Sequence, residues 1–352
     1  MIHDHMRTLE QFLRQPPQLP MATVWLLNDL AEYRGKQELF TKQSPQRLKA
    51  LREHALIESA VASNRIEGVE IDQRRVGTVI FGKNHLQDRN EVEVRGYQAA
   101  LTLIHERHAT LTVSSETVLR LHALSHRDVW DSGQFKKDDG EIIEKHPDGR
   151  VTVRFRPLPA KETPAAMDRL CGLAEQFLRE KQVPLLVIWA AQNLDLLCIH
   201  PFRDGNGRVS RLLLLLSLYH LGFMAGRYIS VERLIEQSKD RYYATLQASS
   251  QGWHGGKHDP WPYVNYLLYT LKNVYQAFES RYENTSLPLG EKTEVVRQAI
   301  AGFAGEFHVA ELHKRCPEVS LDMIRKVLKD MALEQSIECL GRGKQAKWRR
   351  IG

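Results

Sequence analysis

Cysteine is scarce in this chain of 352 residues, and its four copies follow no paired spacing. The scarcity argues against a framework of disulfide bonds, and the missing paired cysteines argue against a structural zinc site. The fifteen histidines show no His-Glu-x-x-His spacing either. We therefore expect reduced thiols that serve as packing residues, at Cys171, Cys198, Cys316 and Cys339.

Long apolar runs are lacking too. The most apolar stretch, residues 212–224, contains Ser217, Tyr219 and His220, and it is shorter than the ~20 residues that a membrane-spanning helix needs. The first fifteen residues are mixed and polar, unlike a secretory signal peptide. We expect a cytoplasmic protein with no membrane partner. The composition, 42% hydrophobic and 26% charged, is ordinary for globular domains, and the length predicts about two or three of them.

Most of the chain shows helical spacing of its apolar residues, which predicts a mainly α fold. One helix is predicted to begin at Ser44-Pro45, a capping hydroxyl followed by proline at the first helical position. It should run to about Asn64 and end before Gly68. Further helices are predicted over residues 1–14, 91–107, 115–130, 163–180, 184–198, 212–221, 231–249 and 262–281.

One segment breaks the helical pattern. Residues 141–145 and 151–155 have the composition of two short strands, and His146-Pro147-Asp148-Gly149 between them is typical of a turn. A lone hairpin cannot bury a face by itself in a helical protein. It is therefore a lid, a docking edge or a surface loop.

The last part of the chain has an order of its own. Helices are predicted over residues 294–304, 309–315 and 320–333, and strands over 336–340 and 347–351. This order is typical of a winged helix-turn-helix module, whose third helix enters the major groove of DNA. Ser320 is expected to cap that helix. The helix carries Arg325, Lys326 and Lys329, but also Asp322, Asp330 and Glu334.

Charge supports two interpretations of this module. Residues 291–352 hold twelve basic and nine acidic residues, so their net charge of 12 − 9 = +3 is half of the chain's net charge of +6. The module either binds DNA or serves protein contacts and dimerisation, and the sequence leaves both open.

The most informative run is residues 200–211, His-Pro-Phe-Arg-Asp-Gly-Asn-Gly-Arg-Val-Ser-Arg, which lies between two apolar segments. So many polar groups beside a core are costly unless a ligand uses them. Small residues let backbone N–H groups approach an anion, and the helix that follows points its positive end there. The run is no Walker loop and follows no predicted strand, so it does not indicate a Rossmann fold.

Each polar residue of the run has a chemical role that suits a phosphate site. His200 is a candidate general base. Asp204 suits a divalent metal, usually magnesium. Arg208 and Arg211 lie three apart on one helical face, where they could clamp two phosphates, or one phosphate and one carboxylate. The segment Gly205-Asn206-Gly207 offers accessible backbone N–H groups.

The run resembles the signature of Fic-domain proteins at every position. The resemblance implies an all-α core with a β-hairpin flap, and transfer of AMP from ATP to a Ser, Thr or Tyr hydroxyl of a protein. It implies His200 as the base, Asp204 as the magnesium ligand and Arg211 as the partner of the outermost phosphate. It also implies that the flap holds the target protein by strand addition. The nucleotide-binding residues that it implies are Glu67, Val153, Arg154, Asp204, Gly205, Asn206, Gly207, Arg208, Ser210, Arg211, Tyr242 and Tyr243, although helix packing also accounts for the tyrosines.

A second match lies far upstream. Ser63-Asn-Arg-Ile-Glu67-Gly68 resembles the inhibitory motif of many Fic proteins. A glutamate at a helix end could reach Arg211 and neutralise it, which would leave ATP in a pose unfit for attack. The resemblance therefore implies Ser63 and Glu67 as inhibitory residues.

These features predict a protein adenylyltransferase held in check by Glu67, with ATP as substrate and Mg²⁺ as cofactor. We expect a helical region over residues 1–90, a catalytic core over 91–282, a linker over 283–291 and the winged-helix-like module over 292–352. The alternatives are a DNA-binding regulator whose core senses nucleotide, removal of AMP from a target, and another phosphodiester transfer. A homodimer also stays open.

Overall fold

The computed structural model describes residues 7–41, 45–82, 86–127, 129–145, 148–283, 289–301, 303, 305–317, 319–341 and 346–351. They form two units. The first takes in the described residues up to Phe278 apart from 45–47, and the second takes in those from Glu279 onward together with 45–47. The described helices include none that is both long and apolar enough to cross a membrane.

The chain is mainly helical, as predicted. Up to Glu283 its α-helices are α1 (Thr8–Arg14), α2 (Met21–Thr41), α3 (Pro45–Ile66), α4 (Val76–Phe81), α5 (Arg89–Arg107), α6 (Ser115–Ser125), α7 (Thr163–Glu180), α8 (Leu185–Ile199), α9 (Asn206–His220), α10 (Val231–Gln237), α11 (Lys239–Ser250) and α12 (Trp261–Glu283). Short 3₁₀ turns lie at Gln73–Arg75, Ala160–Glu162, Ala225–Arg227 and Trp253–Gly255.

Helices α8 and α9 form the centre of the first unit. Every residue of α8 from Leu186 to Ile199 is buried, and α9 is buried from Val209 to Tyr219. A helix that is apolar on all sides is stable only when other elements surround it, and α5, α6, α7 and α11 pack around this pair. The indole N–H of Trp189 donates to the Leu214 carbonyl at 2.9 Å, which ties the two helices together. The polar run of residues 200–211 thus begins at the end of one core helix and continues into the next.

The predicted hairpin is confirmed. Strands β1 (Ile142–Lys145) and β2 (Val151–Phe155) pair antiparallel, with Lys145 opposite Val151 and a bulge between Ile142 and Ile143. His146 and Pro147 of the turn lie outside the described residues. Ile143, Val151 and Val153 are all about half exposed, so the hairpin buries little apolar surface of its own.

The second unit has a small apolar core of its own, around Val296, Phe307, Leu312 and Leu328. Its elements are α13 (Leu289–Ala301), β3 (Phe307–His308), α14 (Val309–Arg315), α15 (Leu321–Leu333), β4 (Ile337–Leu340) and β5 (Lys347–Arg350). The three strands form an antiparallel sheet in the order β3-β5-β4. Ser320 caps α15 by accepting from the backbone N–H of Met323, as the sequence predicted.

One helix was missed by the sequence analysis, and others were predicted with the wrong bounds. Helix α2 was not predicted, although it follows Pro20 directly and spans 21 residues. The helix predicted over 231–249 is two helices, because the backbone leaves helical geometry at Ser238. Helix α6 ends at Ser125 rather than near residue 130. Helix α9 starts six residues before its predicted start, so Arg208 and Arg211 lie well inside its first turns.

A buried carboxylate fastens the N-terminal helix α1 to the core. The Asp195 side chain on α8 accepts from the backbone N–H groups of Thr8 and Leu9, both at 3.0 Å. It also accepts from the Thr8 hydroxyl at 2.6 Å and the Trp253 indole at 2.7 Å. Burial raises the pKa of Asp195, and these hydrogen bonds act against the rise. The carboxylate therefore satisfies donors of α1 that have no partner within the helix.

We predict that Asp195→Ala lowers the free energy of unfolding by roughly 3 kcal/mol, because several buried donors lose their acceptor together. Asp195→Asn should cost less, since it keeps one acceptor oxygen. The midpoint and slope of urea unfolding measure both. Asp168→Ala, which removes an exposed carboxylate of α7, is the control and should change stability by less than about 0.5 kcal/mol. Equal midpoints for Asp195→Ala and the control would contradict the assignment.

Candidate active site

The polar run starts where helix α8 ends. His200 is the C-cap of α8, in the left-handed region at φ 52°, and its backbone N–H donates to the Leu196 carbonyl at 2.9 Å. A residue other than glycine in this region stops the helix and turns the chain sharply. His200 therefore leaves the core helix at the point where the loop of residues 200–205 begins.

Internal hydrogen bonds fix this loop. The Asn206 side chain accepts from the Phe202 N–H at 2.9 Å and donates to the Phe202 carbonyl at 2.7 Å. Lys136 donates its backbone N–H to the Pro201 carbonyl at 2.9 Å and its ammonium group to the Ile199 carbonyl at 3.1 Å. The Asn206 amide is thus used inside the loop, so only its backbone N–H is available to an anion.

The N-terminus of α9 is the natural anion site. Gly205, at φ 82°, is its N-cap, and the backbone N–H groups of residues 206–208 have no carbonyl one turn earlier to bond. A Cβ at Gly207 would stand 2.2 Å from Oε1 of Glu67. The Glu67 carboxylate therefore lies directly against the first turn of α9, where an anion is expected.

Arg211 binds that same carboxylate. Its Nη2 donates to Oε1 of Glu67 at 2.8 Å and to the Ser63 carbonyl at 3.0 Å, and its Nε donates to the Ser63 hydroxyl at 2.8 Å. The Arg211 side chain is 1% exposed, and its Nη1 is buried without a hydrogen-bond partner among the described residues. Burial acts to lower the pKa of Arg211, but the charge of Glu67 acts to raise it. The pKa is raised overall, so the guanidinium stays charged.

The end of helix α3 places Glu67 there. The N–H of Gly68 bonds the Arg65 carbonyl at 3.0 Å and the N–H of Val69 bonds the Asn64 carbonyl at 2.9 Å, the two bonds of a Schellman motif. Gly68 takes the left-handed position of that motif at φ 81°. The glycine of the motif at residues 63–68 thus ends the helix and directs the glutamate beside it toward Arg211.

The second arginine has different partners. Arg208 is 2% exposed and ion-paired with the buried carboxylate of Glu93 on α5. It also donates to Oδ1 of Asn64 at 3.4 Å and to Nδ1 of His126 at 3.2 Å. Its charge is thus neutralised by an acid of the same unit.

Asp204 is the candidate metal ligand. Its side chain is about half exposed, and Oδ1 accepts from the Gly205 N–H at 2.7 Å. Within the described residues no group of three or more His, Cys, Asp or Glu side chains could hold a metal ion. Mg²⁺ is often bound through one or two carboxylates together with substrate phosphates and water. Asp204 fits that mode, in which the bound nucleotide supplies the other ligands.

A cavity of about 330 Å³ opens beside these groups. It lies between the hairpin, the end of α8 and helix α11. Its volume suits a small ligand. Arg154 of the hairpin donates to the Tyr243 carbonyl at 2.9 Å and lies over the Tyr243 ring. The lining residues are Glu67, Ile142, Ile143, Arg154, Phe155, Leu197, Cys198, His200, Gly207, Tyr242, Tyr243, Leu246, Gln247 and Ser250.

The cavity brings together residues that are far apart in sequence. Of the residues predicted to bind nucleotide, Glu67, Arg154, Gly207, Tyr242 and Tyr243 line it. The lining does not include Val153, which lies half exposed on β2, or Ser210, which is fully buried and donates to the Gly207 carbonyl.

Comparison with known proteins shows which family the central part of the chain resembles. Residues 112–218 match the model of the Fic/DOC family. The chain contains a Fic domain. It is 26% identical over 233 residues to proteins named protein adenylyltransferase Fic from Aedes aegypti and from Culex quinquefasciatus. These matches cover 62% of this chain and 41% of each relative, so the chain spans about two fifths of the relatives' length.

Solved structures share the fold. A Fic family protein from Desulfovibrio desulfuricans G20 matches with a TM-score of 0.65 and 23% identity, over 96% of this chain and 98% of that one. A Fic domain containing signaling protein from Bacteroides thetaiotaomicron matches with a TM-score of 0.60 and 20% identity, over 73% and 98%. Fic-1 from C. elegans matches with a TM-score of 0.55 and 20% identity, over 73% and 71%.

The imidazole of His200 in this Fic domain is a neutral base at pH 7. Burial lowers its pKa to about 4, and the charge of Lys136 adds to the fall. A hydrogen bond to the backbone of Leu197 and the charges of Glu67 and Asp204 act in the other direction. Burial also lowers the pKa of Lys136, to about 8, so its ammonium group is mostly charged at neutral pH.

Sequence reasoning missed four residues of the Fic site. Glu93, His126, Lys136 and Asn64 hold the loop or its arginines, and none of them lies in the run of residues 200–211. One signal was present for His126: it stands four positions after His122, a spacing that brings two side chains together at a helix end, and it is the C-cap of α6. No comparable pattern marks Glu93 or Lys136.

We predict that Lys136→Met raises the pKa of His200 toward its ordinary value of 6.5, because a nearby positive charge that opposes protonation is removed. Titration of the histidine side chains by NMR measures the change. Lys137→Met, which removes the exposed charge next in sequence, is the matched control and should leave the pKa near 4. An unchanged His200 titration in Lys136→Met would contradict this electrostatic role.

Proposed function

We propose that the protein is an adenylyltransferase that transfers AMP from ATP to a Ser, Thr or Tyr hydroxyl of a target protein or of itself, and that Glu67 inhibits it. The names of the curated relatives support the reaction type. The observation that carries the proposal is the Glu67 carboxylate, which lies against the first turn of α9 and on Arg211. An anion held at a helix N-terminus by an arginine marks a phosphate site.

The chemistry follows from the groups around the loop. Neutral His200 accepts the proton of the attacking hydroxyl, whose oxygen forms a bond to the α-phosphorus of ATP. The bond from that phosphorus to the bridging oxygen breaks, and pyrophosphate leaves. The N–H groups of the first turn of α9 stabilise the charge that develops on the phosphate. Asp204 would hold Mg²⁺, which supplies positive charge to the phosphates when bound.

Inhibition follows from a competition for Arg211. The γ-phosphate of ATP and the Glu67 carboxylate are both anions, and both suit the same guanidinium. While Glu67 holds Arg211 at 2.8 Å, the γ-phosphate lacks that partner, and the chain of phosphates is not aligned for in-line attack. The buried, unpartnered Nη1 of Arg211 is consistent with a second anion contact that Glu67 does not supply.

The nucleoside would lie in the cavity. Tyr243 supplies an aromatic face there, and Arg154 joins the flap to that tyrosine. The hydroxyl of Tyr243 lies 3.5 Å from the Ile66 carbonyl at the end of α3. The target segment would add to the hairpin, where apolar side chains of both strands are exposed.

The alternatives from the sequence stay predictions. The same groups could remove AMP from a target, with Glu67 aligning water. The C-terminal unit gives less support to DNA binding, because Arg325 pairs with Asp322, Lys347 with Glu306 and Arg349 with Glu338. A homodimer and the predicted domain bounds also stay predictions.

We predict that Glu67→Gly raises automodification roughly 10-fold or more in the presence of ATP and Mg²⁺, because Arg211 becomes available to the γ-phosphate. Intact mass spectrometry measures the mass added by AMP.

Two variants test the specificity of that effect. His200→Ala in the Glu67→Gly background should abolish the modification, since no other group of the run can take the proton. Glu70→Gly removes an exposed acid three positions further along and should behave like the unaltered chain. The proposal is wrong if Glu67→Gly shows no gain over Glu70→Gly.

A further inference from the structure

Two histidines, His122 on α6 and His126 directly after its end, lie against the candidate metal ligand Asp204. His122 accepts the Gly133 N–H at its Nδ1 at 2.9 Å, so its Nε2 carries the proton that is donated to the Asp204 carbonyl at 3.1 Å. Its ring also stacks on Phe202 at 3.8 Å between centroids. His122 therefore fixes the backbone of Asp204.

The second histidine faces the Asp204 side chain. An arginine can only donate, so the contact of Arg208 Nη2 with Nδ1 of His126 at 3.2 Å makes Nδ1 the acceptor. The proton of the neutral imidazole is then on Nε2, which lies 3.7 Å from Oδ2 of Asp204. This Nε2 is buried and has no hydrogen-bond partner among the described residues.

We propose that His126 is a positioning residue for Asp204, and that Arg208, whose Nη2 also lies 3.9 Å from Oδ2 of Asp204, holds His126 in place. The inference rests on the proposed function, in which Asp204 binds Mg²⁺. The Gly205 N–H bonds Oδ1 at 2.7 Å, and the buried His126 N–H faces Oδ2 at 3.7 Å, beyond hydrogen-bond distance, so His126 limits where Oδ2 can turn rather than bonding it. The remaining lone pairs of the carboxylate point away from these donors and are available to a cation.

The arrangement matters because no group of three or more His, Cys, Asp or Glu side chains could hold a cation within the described residues. When one carboxylate is the protein's whole contribution, its orientation decides how well the cation binds. Groups that orient a metal ligand in this way typically change metal affinity 10–100-fold when they are lost. Glu93 is the last residue in this series of contacts, since it holds Arg208 in the position that fixes the His126 tautomer.

Mn²⁺ binding to the ADP complex of the Glu67→Gly protein tests the inference. Electron paramagnetic resonance measures free Mn²⁺, with the Mn²⁺ bound by ADP alone subtracted. His126→Gln places a terminal amide N–H near the position of Nε2, whereas His126→Asn keeps a polar group for Arg208 but ends short of Asp204. We expect Asn to weaken Mn²⁺ binding about tenfold or more and Gln to retain most of it. ADP binding in EDTA should be the same in all variants.

Two references separate the failure of this inference from failure of the proposed function. Asp204→Ala gives the full loss of the metal contact, and His105→Asn, a half-buried histidine of α5 bonded to Tyr219, controls for the loss of an internal imidazole. Equal Mn²⁺ affinity in the Asn and Gln variants, with a loss in Asp204→Ala, overturns the role of His126 alone. No loss in Asp204→Ala overturns the metal assignment of the proposed function, and the inference with it.

Discussion

The ion pair between Arg211 and Glu67 is the contact on which the candidate site depends. A guanidinium that is 1% exposed needs a counter-charge, because an unpaired buried charge costs several kcal/mol. Glu67 supplies that charge from the end of α3, while its own side chain is 30% exposed. The pair is therefore asymmetric: the arginine is fixed in the core and the acid stands at the surface. An anion that offers Arg211 better contacts can replace Glu67 without leaving the arginine unpaired.

The contacts along α3 fit such an exchange. Ser59 donates to the buried carboxylate of Glu232 at 2.7 Å, Ser63 accepts from Arg211, and Asn64 accepts from Arg208. Leu48, Ala60 and Ile66 of α3 are buried in the apolar core as well, so α3 meets the core of the unit through both apolar contacts and hydrogen bonds. Each such bond contributes about 1 kcal/mol net, because water replaces it when it opens. Helices α8 and α9, by contrast, are held by extensive apolar burial. The residues proposed to act in catalysis, His200 and Asp204, therefore lie in a loop between two buried helices, whereas Glu67, the proposed inhibitory residue, lies at the end of α3.

The sequence predicted most elements of the site but not its internal contacts. The run of residues 200–211 and the motif at 63–68 could be recognised because each is contiguous and has fixed spacing. The hairpin was predicted from its turn residues, and the cap of α15 from Ser320. Glu93, His126 and Lys136 could not be assigned in this way, because their roles arise only when α5, α6 and the segment after α6 pack against the loop. Helix α2 was missed because it lies between two proline-containing segments and lacks a capping side chain, so packing rather than local chemistry decides its length.

The two arginines of the run show why spacing alone was insufficient. Arg208 and Arg211 share a residue type and lie three apart on one helix, which suggested a clamp with two equal arms. Their acids differ in position. Glu93 is buried on α5 and pairs with Arg208 inside the unit, whereas Glu67 is partly exposed beyond the end of α3. A buried pair within a packed core is expensive to open, so Arg208 keeps its partners and holds His126, while its Nη2 lies 3.9 Å from Oδ2 of Asp204. Glu67 is 30% exposed, so the pair that it forms with Arg211 is easier to open. In the proposed mechanism one arginine therefore orients the site and the other responds to the nucleotide, and the difference comes from where each counter-charge is anchored.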